Sequence, residues 1–85
     1  MFIQVNPDTF INMNHVRQIS VKAVSDTSDE CNECEGAIEL RTDNTIYISY
    51  FSSIYKAMNE FGNIINAIEQ NKHIYKNDLR WEYNI

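Results

Sequence analysis

The sequence predicts an α+β fold: a small antiparallel β-sheet of about four to five strands, covered by one amphipathic helix, with a C-terminal strand at the sheet edge. Three observations predict it. Apolar residues alternate with polar ones in Val16–Val24, Ala37–Arg41 and Ile46–Phe51, the period of a strand with one packed face. Ile54, Met58, Phe61, Ile65 and Ile68 step by four, three, four and three, the period of a helix with one apolar stripe, which Ala57 and Ile64 widen. The alternation returns in Leu79, Trp81, Tyr83 and Ile85.

Eighty-five residues fit a single domain spanning 1–85. A chain of this size buries roughly 60–65% of its unfolded surface, enough to fold alone with little stability to spare. A hydrophobic content of 44% argues against disorder. No apolar run reaches the roughly 18 residues that would span a bilayer. The start, MFIQVNPDTF, lacks the basic region and apolar core of a signal peptide. A cytoplasmic location follows as the expectation. In a reducing cytosol a disulfide between Cys31 and Cys34 is not the expected staple of the fold.

Taken in order, Phe2–Val5 is a short apolar run closed by Asn6-Pro7-Asp8-Thr9, a turn with Pro at its second position. Phe10 and Ile11 resume it as the second arm of a hairpin. Asn12-Met13-Asn14-His15 reads as a turn, because Asn bonds readily to nearby backbone. Val16–Val24 is a strand with Ile19, Val21 and Ala23 on one face. Ala37–Arg41 turns Ile38 and Leu40 inward and Glu39 and Arg41 outward. Thr42-Asp43-Asn44-Thr45 makes a hairpin turn into Ile46–Phe51, whose two faces carry Ile46, Ile48 and Tyr50 against Tyr47, Ser49 and Phe51. Ser52 or Ser53 can cap the helix. Gly62 weakens it by up to about 1 kcal/mol relative to Ala, unless close packing on the sheet requires it.

Charge is unevenly placed. Residues 25–36 carry Asp26, Asp29, Glu30, Glu33 and Glu35 and no Lys or Arg, while the rest of the chain balances seven acids against seven bases. The formal charge of −5 therefore sits in one loop. Such a balance disfavours DNA, RNA and anionic membranes, whose affinity comes largely from Lys and Arg. It suits a basic protein partner or a cation.

The same loop holds Cys31 and Cys34 in a C-x-x-C spacing followed by Gly36, similar to a zinc knuckle. Structural zinc normally takes four ligands. His15 and His73 are the chain's only histidines. A strand of about nine residues separates His15 from the loop by roughly 30 Å. The helix carries His73 to the same far end, so an intramolecular Cys₂His₂ site is not expected. Metal would instead need carboxylates such as Glu30 or Glu35, or a second copy that completes a Cys₄ site. Calcium is disfavoured because the loop lacks the Gly and Glu of an EF-hand. The neighbouring carboxylates raise thiol pKa and weaken a redox role. A plain solvated acidic loop remains the alternative to all of these.

No residues make a catalytic case. The two histidines lack a carboxylate or nucleophile, and two glycines cannot build a phosphate-cradling loop. The expectation is not an enzyme. Tyr47, Phe51, Tyr55, Trp81 and Tyr83 would be core, an interface or, if exposed, a base-stacking platform.

Residues 10–19 (FINMNHVRQI), then residues 37–45 (AIELRTDNT) and an amphipathic helix, resemble in layout the small FlbD-like proteins of bacterial flagellar operons and related short mobile-element proteins. The resemblance covers roughly residues 10–70 and implies a non-enzymatic interaction module with no catalytic residues to carry over. The acidic C-x-x-C insertion and the strand after the helix depart from that layout.

The expected function is therefore non-enzymatic binding of a protein partner. The partner-binding residues would be Asp26, Asp29, Glu30, Glu33 and Glu35 of the acidic loop, or Trp81 and Tyr83 of the edge strand. Eleven Asn and twelve Ile suggest an AT-rich genome, hence a phage or mobile-element inhibitor or regulator of a host factor. Two alternatives stay open. One is a dimeric module bridged by zinc on Cys31 and Cys34. The other is single-stranded nucleic-acid binding through an aromatic sheet face.

Overall fold

The computed structural model describes residues 1–24, 34–77, 79 and 81–84. It is an α+β fold in which one helix packs on a four-stranded antiparallel sheet, beside a smaller mixed sheet. The elements run β1 (Phe2–Asn6), β2 (Thr9–Asn12), a 3₁₀ turn (Met13–His15), β3 (Val16–Ala23), β4 (Gly36–Thr42), β5 (Ile46–Phe51), α1 (Ile54–Glu69), β6 (Ile74–Tyr75) and β7 (Trp81–Asn84).

The larger sheet has the order β3-β4-β5-β7, with every pair antiparallel. Its register joins Ile19 to Leu40, Val21 to Ile38, Leu40 to Tyr47, Ile38 to Ser49 and Ser49 to Trp81. Opposed residues in an antiparallel pair share a face, so these side chains form one surface. That surface is the core side: Ile38 and Leu40 are fully buried, and Phe51 and Trp81 nearly so. The other face carries Lys22, Glu39, Arg41, Ile46, Ile48 and Tyr50.

Short side-chain motifs set the turns and the helix start. Asn12 caps the 3₁₀ turn by accepting from the Asn14 N–H at 3.0 Å. The Thr42 hydroxyl accepts from the Thr45 N–H at 3.0 Å and donates to the Thr45 carbonyl at 2.9 Å, closing the β4–β5 hairpin. Ser53, in extended backbone, accepts from the Lys56 N–H at 3.2 Å and starts α1.

Two features differ from the sequence expectation. The first hairpin does not join the main sheet. It forms a second sheet of order β2-β1-β6, in which the two-residue β6 runs parallel to β1 through Phe2–Ile74 and Ile3–Tyr75. The helix also seats on one flank of its apolar stripe, where Ala57 and Ile64 widen it, rather than on the stripe's centre. Its buried residues are Ala57, Ile64 and Ala67, while Met58 is 53% and Ile68 37% exposed. The cause is close approach. A Cβ built on Gly36 would lie 3.0 Å from the Ala57 Cβ, so the helix turns its small residues toward β4 and the flank of its apolar stripe outward.

The chain's start and end are tied by Asn77. Its side chain donates to the Gln4 carbonyl at 2.9 Å and accepts from the Leu79 N–H at 3.1 Å and the Trp81 indole N–H at 3.2 Å. Its own N–H donates to the Gln4 side-chain oxygen at 3.2 Å. The Tyr75 hydroxyl donates to Glu60 on α1, fastening β6 to the helix. Burial and the Glu60 carboxylate together push the Tyr75 phenol well above its ordinary range.

Candidate partner-binding surfaces

The acidic segment leaves the sheet at the end where β3 stops and β4 begins. Its base is fixed from both sides: the Val24 N–H donates to the Glu35 carbonyl at 3.1 Å, and the Glu35 N–H donates to the Phe51 carbonyl at 3.1 Å. Gly36 lies directly against the first turn of α1. Exposed Glu35 thus sits beside the helix start, where Tyr55 is 78% exposed and Met58 follows one turn on. Asp26, Asp29, Glu30, Cys31 and Glu33 lie outside the described residues.

Cys34 is partly buried and disulfide-bonded, where the sequence reading does not expect a disulfide. Both histidines lie toward the opposite end. His15 precedes Val16, which pairs with Thr42 at the far end of β4 from Gly36, and the His73 carbonyl accepts from the Phe2 N–H at 2.8 Å. Among the described residues no three His, Cys, Asp or Glu side chains converge as metal ligands would.

Trp81 and Tyr83 stand on β7, at the edge of the larger sheet. Trp81 points into the core and spends its indole N–H on Asn77. Tyr83 pairs with Tyr47 in the register. What β7 offers a partner is its outer backbone edge rather than the Trp81 ring.

The sequence reading passed over a second apolar surface. Phe2, Phe10 and Ile74 are 45%, 38% and 49% exposed, and the register sets Phe2 beside Ile74 and Phe10 beside Gln4 on the outer face of the small sheet. The signal was the alternation of Phe2 and Gln4 with buried Ile3 and Val5, which leaves Phe2 facing away from the core.

Charge on the larger sheet is largely paired. Glu39, on the face away from the helix, is nearly buried between Lys22 at 2.8 Å and Arg41 at 2.9 Å. Hydrogen bonds from Lys22 and then Arg41 hold its carboxyl below the usual glutamate range. Arg17 grips Asp43 in a two-pronged pair at 2.7 and 3.1 Å, and that hydrogen bond lowers the Asp43 pKa. No helix among the described residues is long and apolar enough to cross a membrane.

No protein-family model, curated protein or solved structure matches the chain.

Proposed function

We propose that the protein is a non-enzymatic binding module for a basic protein partner, serving a phage or mobile element as an inhibitor or regulator of a host factor. The observation that carries this reading is the junction at the helix start. The segment that contains the whole charge excess returns to the sheet at Glu35 and Gly36, against the first turn of α1, and the same helix bears Tyr55 and Met58, two large side chains open to solvent. An acidic arm next to apolar anchors suits a cationic surface: the charges steer encounter, and the aromatic and Met side chains supply buried contact area. The layout resemblance to FlbD-like interaction modules points the same way.

The test is capture from cell lysate with the wild-type chain and two variants in parallel, E30Q/E33Q/E35Q and Tyr55→Ala. A basic protein held by the wild type should be lost from both variants. The loss from the Gln variant should be largest at low salt, where the carboxylates are least screened. Equal retention by all three chains would overturn the proposal. Titration with a labelled single-stranded oligonucleotide at low salt is the companion measurement, and tight binding there would favour the nucleic-acid reading instead.

A further inference from the structure

The chain has two glycines, and the fold explains one of them. Gly36 is held against the first turn of α1, where a Cβ would not fit. Gly62 sits in the interior of α1, where glycine costs about 1 kcal/mol relative to Ala, and a Cβ there would meet nothing within 4 Å. The helical period sets Gly62 directly opposite the side that Ala57, Ile64 and Ala67 bury. It is the midpoint of a second stripe, Tyr55, Met58, Gly62, Ile65 and Glu69, spaced by three, four, three and four. Tyr55, Met58 and Glu69 are exposed and Ile65 is half-buried. Met58 and Ile65 flank the glycine on one side of the stripe, and exposed Asn59 and Asn66 flank it on the other.

We propose that α1 packs antiparallel against the α1 of a second copy, across a two-fold axis at Gly62. The missing side chain lets the two helix backbones approach closely at the crossing, and the stripe is the contact surface. The proposal does not rest on the acidic-segment reading, and the pairing covers Tyr55 and Met58 in place of the basic partner.

The stripe is complementary to itself in this direction. A two-fold axis perpendicular to both helices returns each side of the stripe to the same side. Met58 then meets Ile65 of the second copy, and Asn59 meets its Asn66, apolar on apolar and amide on amide. Asn66 accepts from the Gln70 side chain at 3.4 Å and keeps its own N–H groups for the contact. A parallel pair would set the apolar side against the amide side and Glu69 against Glu69.

Charge selects the same arrangement. α1 has no acid in its first turn and no base in its last. Lys56 stands near the positive end of the helix dipole and Glu69 at the negative end, each where its charge is unfavourable. Neither makes an ion pair among the described residues. An antiparallel neighbour brings Glu69 beside the first turn of the second helix, which carries Tyr55 and Lys56, and does the same in reverse. Net charge does not oppose the pairing. Each acidic segment returns to its sheet against the first turn of its own α1, and those turns lie at opposite ends of a 16-residue helix, roughly 24 Å apart. That is about three Debye lengths at physiological salt.

Sedimentation equilibrium tests this on the purified chain. The wild type should dimerise. Gly62→Gln, which open space lets the monomer accept, should weaken the dimer roughly tenfold or more. Met58→Glu and Ile65→Lys should each weaken it, and the double variant Met58→Glu/Ile65→Lys should restore it. The two positions are seven residues apart on one helix, too far to pair within a copy, so the rescue reads contact between antiparallel copies. Hydrogen exchange on the unmodified chain does not depend on variants folding. The amides of α1 should be better protected at high than at low protein concentration. A monomeric wild type, a dimer indifferent to Gly62→Gln, a double variant weaker than both singles, or concentration-independent exchange in α1 would overturn the proposal.

Discussion

Gly36 approaches Ile54 so closely that a Cβ on the glycine would lie 2.8 Å from the Ile54 Cα and 3.0 Å from the Ser53 carbonyl oxygen. Both are backbone atoms at the helix start and cannot swing aside as a flexible side chain would. Gly36→Ala should therefore push α1 off β4 and destabilise the fold by about 1–3 kcal/mol. Urea unfolding followed by circular dichroism measures it.

Gly62 is the opposite case. Nothing lies within 4 Å of a Cβ placed there, so the glycine is not required by packing on the sheet. Gly62→Ala should stabilise the protein by up to about 1 kcal/mol, by removing helix-interior backbone freedom from the unfolded chain. The same urea titration should show a higher midpoint at unchanged slope.

Glu39 predicts an acid limb to the stability curve. Its folded pKa lies below the unfolded value of about 4.3, so the contribution of its pairs is complete above that value and is lost as pH falls through the folded pKa. Glu39→Gln should cost about 1 kcal/mol at pH 7, a modest sum because Lys22 and Arg41 are themselves half exposed, and the cost should shrink as pH falls below the unfolded value. Unfolding midpoints of both proteins between pH 3 and 7 check this, and the two curves should converge on the acid side.

Asn77→Ala should be more damaging than its part-exposed position suggests. It strips the acceptor from a buried indole N–H and the donor from the Gln4 carbonyl, at about 2 kcal/mol or more. Trp81 is the only tryptophan, so its fluorescence reports the site alone. The variant should show a red-shifted emission maximum and a lower melting temperature.

These residues also mark what could be read from the sequence. The alternation in Val16–Val24, Ala37–Arg41 and Ile46–Phe51 located three strands and their faces, and Asn12 and Ser53 announced a turn and a helix start through their own side-chain chemistry. Which flank of the stripe seats α1 was not legible. The stripe from Ile54 to Ile68 is wide enough to seat in several ways, and Gly36, eighteen residues away, chooses among them. β6 was not legible as a strand, because two residues carry no period and its pairing depends on β1 at the other end of the chain. The acidic segment showed its charge but not that its end at Gly36 packs against the first turn of α1.

The pairing of Phe2 with Ile74 imposes an order of events on the growing chain. A ribosome releases β1 first, yet its parallel neighbour emerges only after the helix has been made, and the Asn77 bonds to Gln4 come later still. Until β4 and α1 supply the core that Ile3 and Val5 enter, β1 has only β2 beside it, and a lone hairpin is marginal in water. The β4–β5 hairpin and α1 have nearby partners and can organise early, whereas the N-terminal strand acquires its full setting last. Contacts of such long sequence separation slow folding. The molecule is therefore knitted from its middle outward, and its first residues are among the last to be secured.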